Sequence, residues 1–225
     1  MNRRFLLQLA GASVLASAAP WALANAAEDF QTAIIRDNYV AMRKLLAQGM
    51  DPNTVDARGR PALVKAMQHE SLRVVQELLK APDIRVNDAS PQGETVLMLA
   101  CIQGRLDLVK QLLAMDARVN KQGWSPLHYA VSANHEQSLE IVNLLLQDNA
   151  YVDAESPNKS TPLMLAAQYG SRDMLVTLLN AGADIEARNQ QNLTAIDFAR
   201  RSEREFLVEL LEEVYRTRRR IKPSW

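Results

Sequence analysis

An all-α solenoid of about six stacked helix-turn-helix units, joined by β-hairpin-like fingers, is the fold class that this sequence predicts, on three observations. First, the segment 161–189, TPLMLAAQYGSRDMLVTLLNAGADIEARN, is echoed along the chain. Aligning the echoes puts Leu63, Leu97, Leu127, Leu163 and Ile196 in register, at separations of 34, 30, 36 and 33 residues. Second, leucine pairs recur at matching offsets, at Leu78-Leu79, Leu112-Leu113, Leu144-Leu145 and Leu178-Leu179. Third, each echo carries two apolar stripes that one helical hairpin cannot bury alone, so it needs neighbours of its own kind.

The best-preserved echo shows why the unit is helical. Thr161 is a good N-cap, because its hydroxyl accepts from an unpaired N–H of the first turn. Pro162 at the first helical position gives up only a donor that was unpaired anyway. Leu163, Ala166, Ala167 and Gly170 share one face, and their small size lets another helix approach closely. Gly170 ends this helix. Met174, Leu175, Leu178 and Leu179 form the second stripe, and Gly182 is placed for a left-handed C-cap.

SPLHYA (125–130), TPLMLAA (161–167), TVLMLAC (95–101) and TAIDFA (194–199), at a period scattered about 33, resemble the T-P-L-H-x-A core of ankyrin repeats. AGADIEARN is similar to the connecting segment of that family. The resemblance covers roughly residues 28–215, with units near 28–58, 59–89, 90–122, 123–156, 157–189 and 190–215.

Taken in order, residues 1–26 read as an export signal and stand outside the fold. Arg3-Arg4 precede an alanine-rich apolar run, and Ala24 and Ala26 mark the expected cleavage site. Arg3-Arg4 with Phe5-Leu6-Leu7 resembles the bacterial twin-arginine signal, which implies export of an already folded protein to the periplasm. Asn2 before the pair, and Leu where Phe is usual two residues after it, depart from that pattern. An ordinary secretory signal, with secretion as the destination, and a retained membrane anchor are the alternatives. Ala27, not a cysteine that could carry a lipid, directly follows the site, and no later run approaches the ~20 apolar residues needed to span a bilayer, so no stable membrane anchor is expected after cleavage.

The array begins with a degenerate unit, with helices near 30–36 and 39–48. Terminal units are atypical because one side faces water. In the second unit Pro61 stands where Thr is usual, and LLKAPDIRVN holds one extra residue. The third places Cys101 at a small-residue position of its inner helix. The connection after it, Asn120-Lys121-Gln122-Gly123, is about three residues short, which predicts a stubby finger. The fourth is about two residues long between its helices, at HEQSLEIV. The sixth reads as a cap, with Phe206, Leu207, Leu210, Leu211 and Val214 on the packed side of its second helix. Residues 216–225, with Arg216, Arg218, Arg219, Arg220 and Lys222, read as a solvated basic tail.

Composition narrows the function. The chain has 225 residues, 48% hydrophobic and 23% charged, and its formal net charge is zero. Between the basic ends, residues 27–215 hold 19 basic and 26 acidic residues, a balance of −7 that argues against nucleic acid as the main partner. One cysteine excludes an intramolecular disulfide, and three histidines leave little for a transition-metal site. Gly-rich phosphate loops, CxxC, HExxH and GxSxG are all missing from the sequence, so no catalytic residue, metal or cofactor is assigned. The resemblance implies that His128 makes a structural hydrogen bond between a helix start and a neighbouring turn. His135 reads as a turn residue, and Cys101 as a small buried filler.

Binding is the function that the resemblance implies, through finger tips and the exposed side of the inner helices. Mapped unit by unit, the candidate positions are Arg58, Arg60, Gln68 and His69, then Gln92, Glu94 and Gln103. Gln122, Trp124 and Ser132 follow, then Asn158, Ser160, Gln168 and Tyr169, and finally Gln191 and Arg201. Trp124 and Tyr169 stand out, since large aromatics with a polar handle dominate binding energetics. The leading expectation is a non-catalytic scaffold that binds another protein and is otherwise monomeric. A secreted effector or membrane-surface adaptor using the basic tail is one alternative. A hydrolase or redox enzyme using Cys101 or His128 is the other.

Overall fold

A computed structural model describes residues 20–221, and the side chains of 25–219. Twelve helices are present among the described residues, two per unit. The first unit holds α1 (Pro20–Ile35) and α2 (Tyr39–Ala47), the second α3 (Ala62–Gln68) and α4 (Leu72–Leu78). The third holds α5 (Val96–Ile102) and α6 (Leu106–Leu113), the fourth α7 (Pro126–Ser132) and α8 (Ser138–Gln147). The fifth holds α9 (Pro162–Tyr169) and α10 (Arg172–Asn180), the last α11 (Ala195–Arg201) and α12 (Glu205–Ile221). The fold is therefore the all-α repeat solenoid that the sequence predicts. Inner helices stack in order, α1 on α3 and so on to α9 on α11, and one apolar core runs from Phe30 to Leu211.

Local chemistry explains the element boundaries. Thr161 caps α9, its Oγ1 accepting from the Met164 N–H, and Thr95 does the same for α5 through the Met98 N–H. Leu163, Ala166, Ala167, Leu175 and Leu178 are fully buried. Gly182 ends the outer helix at φ +95°, a left-handed conformation that a Cβ disfavours. The five residues between α7 and α8 exceed the three between α5 and α6 by the two expected. Gly104, in that shorter turn, has φ +64°, and a Cβ there would come within 2.6 Å of His135 in the next unit. His135 is thus a turn residue, exposed and packed over a glycine that nothing larger can replace.

Four fingers close with a backbone bond from the first tip residue to the carbonyl four residues on: Asp56 to Arg60, Ser90 to Glu94, Ser156 to Ser160 and Asn189 to Leu193. The shortened finger, 120–124, shows no such bond among the described residues, in keeping with its expected stubbiness. A side-chain ladder ties each finger base to the next unit. Asn53 donates to the Asp83 carbonyl and accepts from the Arg85 N–H. Asn87 does the same with Asp116 and Arg118, and Asn120 with Asn149 and Tyr151. At the fourth rung stands Asp153, which only accepts, from the Asp184 N–H at 2.9 Å.

The ends of the array differ from expectation. α1 begins at Pro20, ten residues before the expected first helix, so the cleavage point after Ala26 falls inside it. Among the described side chains Phe30 is the first buried one, and 25–29 are exposed or half-buried. In α12, Phe206 is 54% exposed beneath the Arg204 guanidinium, while Val208 is buried beside Leu207 and Leu211. The reason is angular: Leu207 and Leu211 centre the packed arc, Val208 lies on its edge, and Phe206 falls beyond it. The helix then continues through Ile221 where a solvated tail was expected. Arg218 fixes it, donating from Nη1 to the Ala183 carbonyl at 2.8 Å and from Nη2 to the Leu179 carbonyl at 2.6 Å. Leu179 is in the last turn of α10 and Ala183 just beyond its end, where carbonyls have acceptor capacity to spare.

Candidate functional site

Inner helices and finger tips together form one face, and a relay of hydrogen bonds and one longer ion pair crosses it from the first unit to the fourth. Lys65 Nζ on α3 reaches Gln31 Oε1 on α1 at 2.6 Å and lies 3.9 Å from Asp56. Asp56 holds Arg60, whose Nε and Nη2 approach Oδ2 at 2.9 and 2.7 Å. Arg60 Nη1 donates to Gln68 Oε1 at 2.9 Å, and Gln68 Nε2 donates to Glu94 Oε2 at 3.0 Å. Tyr129 on α7 donates its hydroxyl to Glu94 Oε1 at 3.1 Å. Gln103 adds a link from Nε2 to the Met67 carbonyl at 3.0 Å. Partners 26 to 36 residues apart are thereby locked, which preorganises the face across units.

Electrostatics follow from this packing. Burial lowers the Lys65 pKa, with Asp56 acting against it. Burial also works to raise Asp56, yet hydrogen bonds from Arg60 and Arg58 overcome it and hold the carboxyl below its usual range. His69 is pushed down by burial and by Lys65 and Arg60, so it is neutral at pH 7. Tyr129 is raised to about 12 by burial and then by Glu94, so its phenol keeps the proton that it donates.

The sequence-assigned positions fall into three groups. Arg58, His69, Gln92, Gln122, Trp124, Asn158, Tyr169, Gln191 and Arg201 are exposed. Arg60, Gln68, Glu94, Gln103, Ser132 and Gln168 are half-buried, the first four within the relay and Ser132 bonded back to the His128 carbonyl. Ser160 departs from its assignment, being 2% exposed. It occupies the position that Arg60, Glu94 and Trp124 hold in earlier units, but its side chain is too short to emerge. Its carbonyl accepts from His128, its N–H is bonded to Ser156 Oγ, and its hydroxyl accepts from Asn189. Arg3 and Arg4 lie outside the described residues, and Ala24 and Ala26 lie in α1. Lys65, Asp56 and Tyr129 were missed, although Lys65 and Tyr129 stand at equivalent positions of their inner helices and share a polar end on an otherwise apolar column.

Trp124 and Tyr169 project from this face. Trp124 is 38% exposed, with its indole edge-on to the His128 ring at 5.3 Å and 83°. Tyr169 is 56% exposed at the end of α9. His128 beneath is 1% exposed and fully engaged: Nε2 donates to the Ser160 carbonyl at 3.0 Å, and Nδ1 accepts from Ser125. Burial lowers its pKa, so it is a neutral tie between fingers, as the resemblance implies. The Cys101 thiol is fully buried, and burial raises its pKa far out of the nucleophilic range. Among the described residues no cluster of three His, Cys, Asp or Glu side chains is placed to hold a metal ion, and no helix is long and apolar enough to cross a membrane.

Comparison with known proteins gives the same picture. Residues 66–156 match a family model described as ankyrin repeats (3 copies), and 144–199 match one described as ankyrin repeats (many copies). The chain is 33% identical over 168 residues to the B-cell lymphoma 3 protein homolog of Mus musculus, covering 71% of this chain and 36% of that protein. It is 27% identical over 162 residues to transient receptor potential cation channel subfamily A member 1 of Homo sapiens, covering 68% of this chain and 14% of that protein. Against neurogenic locus notch homolog protein 1 of Mus musculus it is 38% identical over 117 residues, covering 50% and 4%. The chain thus spans at most 36% of the length of any of these three relatives.

Proposed function

The chain belongs to the ankyrin-repeat family, and from that membership we propose that it is a non-catalytic scaffold, exported to the periplasm, that docks another protein across its finger tips and inner helices. Ankyrin repeats generally mediate protein–protein interaction. The observation that carries the reading here is the relay from Gln31 to Tyr129, which fixes one face over four units and leaves Trp124 and Tyr169 standing proud of it. Aromatic anchors on a rigid surface are what protein hot spots require. Export draws its support from Arg3-Arg4 and the small-residue site at Ala24 and Ala26, and from the absence of buried side chains at 25–29, ahead of Phe30. The membrane-adaptor reading has less support, because Arg218 is committed to the carbonyls of Leu179 and Ala183.

Cell fractionation joined to affinity capture tests both halves. The mature protein is expected in the periplasmic fraction, and Arg3→Lys with Arg4→Lys is expected to hold it in the cytoplasm. Trp124→Ala is expected to lower recovery of a captured partner at least tenfold, the equivalent of about 1.4 kcal/mol, with an unchanged helical circular dichroism spectrum. Equal recovery of every partner by both proteins would remove Trp124 from the site.

A further inference from the structure

The charges of this array are segregated by face. Fingers and inner helices of the second to sixth units, residues 56–69, 90–103, 120–133, 155–169 and 188–201, carry eight basic residues against four acidic ones. The remainder of 27–215, which holds the first unit with the outer helices and turns, carries 11 basic against 22 acidic. A face of +4 therefore rides on a body of −11. On that face Arg58 and Lys121 at finger tips and Arg201 at the end of α11 are exposed, and none of the three pairs with a carboxylate among the described residues. Lys159 meets Glu155 only at 3.9 Å, with both side chains more than half exposed. Such a contact holds an ammonium weakly.

We infer that the occupant of this face is an extended, acid-rich polypeptide segment whose carboxylates meet Arg58, Lys121, Lys159 and Arg201 and whose middle seats an apolar residue against Trp124. Length follows from geometry. Packed helices lie about 8–10 Å apart, and an extended chain advances about 3.3 Å per residue. One unit thus takes about three residues, and the four steps from Arg58 to Arg201 take about 12. The acidic body does not defeat this, since charges are screened over about 8 Å at physiological salt. Its repulsion instead keeps such a segment off the outer helices and directs it to the face of fingers and inner helices.

The inference rests on the docking reading above, and the test separates the two. Fluorescein-labelled peptides of about 15 residues, each with a central Leu-Phe-Leu, would carry Glu/Asp, Gln/Asn or Lys/Arg at the other positions, a length chosen to exceed the span just derived. Anisotropy titrations at about 0.15 M salt would use the mature protein, Trp124→Ala, and the triple variant Arg58→Glu, Lys121→Glu, Lys159→Glu, each checked for its helical spectrum. The acidic peptide is expected to bind at least tenfold more tightly than the amide peptide, to lose that advantage in the triple variant, and to weaken with Trp124→Ala. An acidic peptide no tighter than the amide one, or a preference surviving the triple variant, would overturn the inference. If the amide or basic peptide binds best and is weakened by Trp124→Ala, the acidic partner is wrong but docking on this face stands. A single-stranded oligonucleotide of equal charge that displaces the acidic peptide would overturn the class of occupant, and indifference of all three peptides to Trp124→Ala would remove both readings.

Discussion

Lys159 occupies the left-handed tip position that Gly59, Gly93 and Gly123 take in other fingers and Asn192 takes in the last, and it does so at φ +61°. A Cβ in that region costs roughly 1–2 kcal/mol, while glycine gives back about 0.4–1 kcal/mol through the unfolded chain. The difference favours Lys159→Gly by about 0.5 kcal/mol, so a thermal melt is expected to show a small rise, and a fall would mean that the Lys159 side chain contributes more than its strain. Asp153 is the second residue out of step with its equivalents. Asn53, Asn87 and Asn120 each donate to a carbonyl of the next unit, which a carboxylate cannot do. Burial, then the Asp184 charge, raise the Asp153 pKa, opposed by the Asp184 N–H and by Arg218. A raised folded value means that stabilisation from the protonated form is complete below the ordinary value of 3.8 and is lost as pH rises through the folded one. Asp153→Asn is therefore expected to stabilise the array at pH 7 by about 1 kcal/mol. Its advantage in urea titrations is expected to narrow between pH 7 and pH 4, and a gap that does not change with pH would refute the rung assignment.

Helix α12 shows how an element can be legible in one register of the sequence and hidden in another. As composition, residues 216–222 are a basic run, and composition alone suggests a solvated tail. As periodicity, Leu207, Leu211, Val214 and Arg218 stand at i, i+4, i+7 and i+11, so Arg218 continues the packed face. Its guanidinium adds two donors to the Leu179 and Ala183 carbonyls at the end of α10. Arg204, the residue just before α12, does likewise, donating to the Ala166, Ala167 and Gly170 carbonyls at the end of α9. Two charged forks thus dock the capping helix onto helix C-termini, where cations are also favoured by the dipole. Arg218→Ala is expected to destabilise the cap by about 1–3 kcal/mol and to expose α12 to limited proteolysis. Arg218→Lys keeps the charge but not the fork, so it should recover only part of the loss. Arg216→Ala, on the exposed side, is the control, and equal cleavage of all three variants would show that the fork does not hold the helix.

Across the whole molecule, what the sequence disclosed and what it hid divide along the direction of the contacts. Capping by Thr161, the Gly182 stop and the longer turn before α8 are local, and the repeat states them several times over, so each copy corroborates the rest. The relay runs across units, joining Gln68 to Glu94 and Glu94 to Tyr129, and no local pattern announces which polar side chain on one inner helix will meet which on the next. The N-terminal unit shows the same split. Its second helix is legible in the sequence, but the early start of α1 and the ties that hold the unit are not: Ser71 Oγ donates to the Ile34 carbonyl, the Val74 N–H donates to Asp37, and Lys65 reaches Gln31. All of these begin beyond residue 30, and among the described side chains, 25–219, the first fully buried large ones are Phe30 and Ile34. A protein beginning at Ala27 should therefore melt within about 2 °C of the full chain, a difference worth only a few tenths of a kcal/mol. Phe30→Ala should instead cost about 3–5 kcal/mol. Because stability in a stacked array is a sum of units and nearest-neighbour interfaces, that loss should fall on the first unit and appear as a separate early transition in urea, followed by circular dichroism and by the exposure of Met42. A Phe30→Ala protein that still unfolds in one step at the parental midpoint would place the N-terminal boundary of the cooperative array after the first unit.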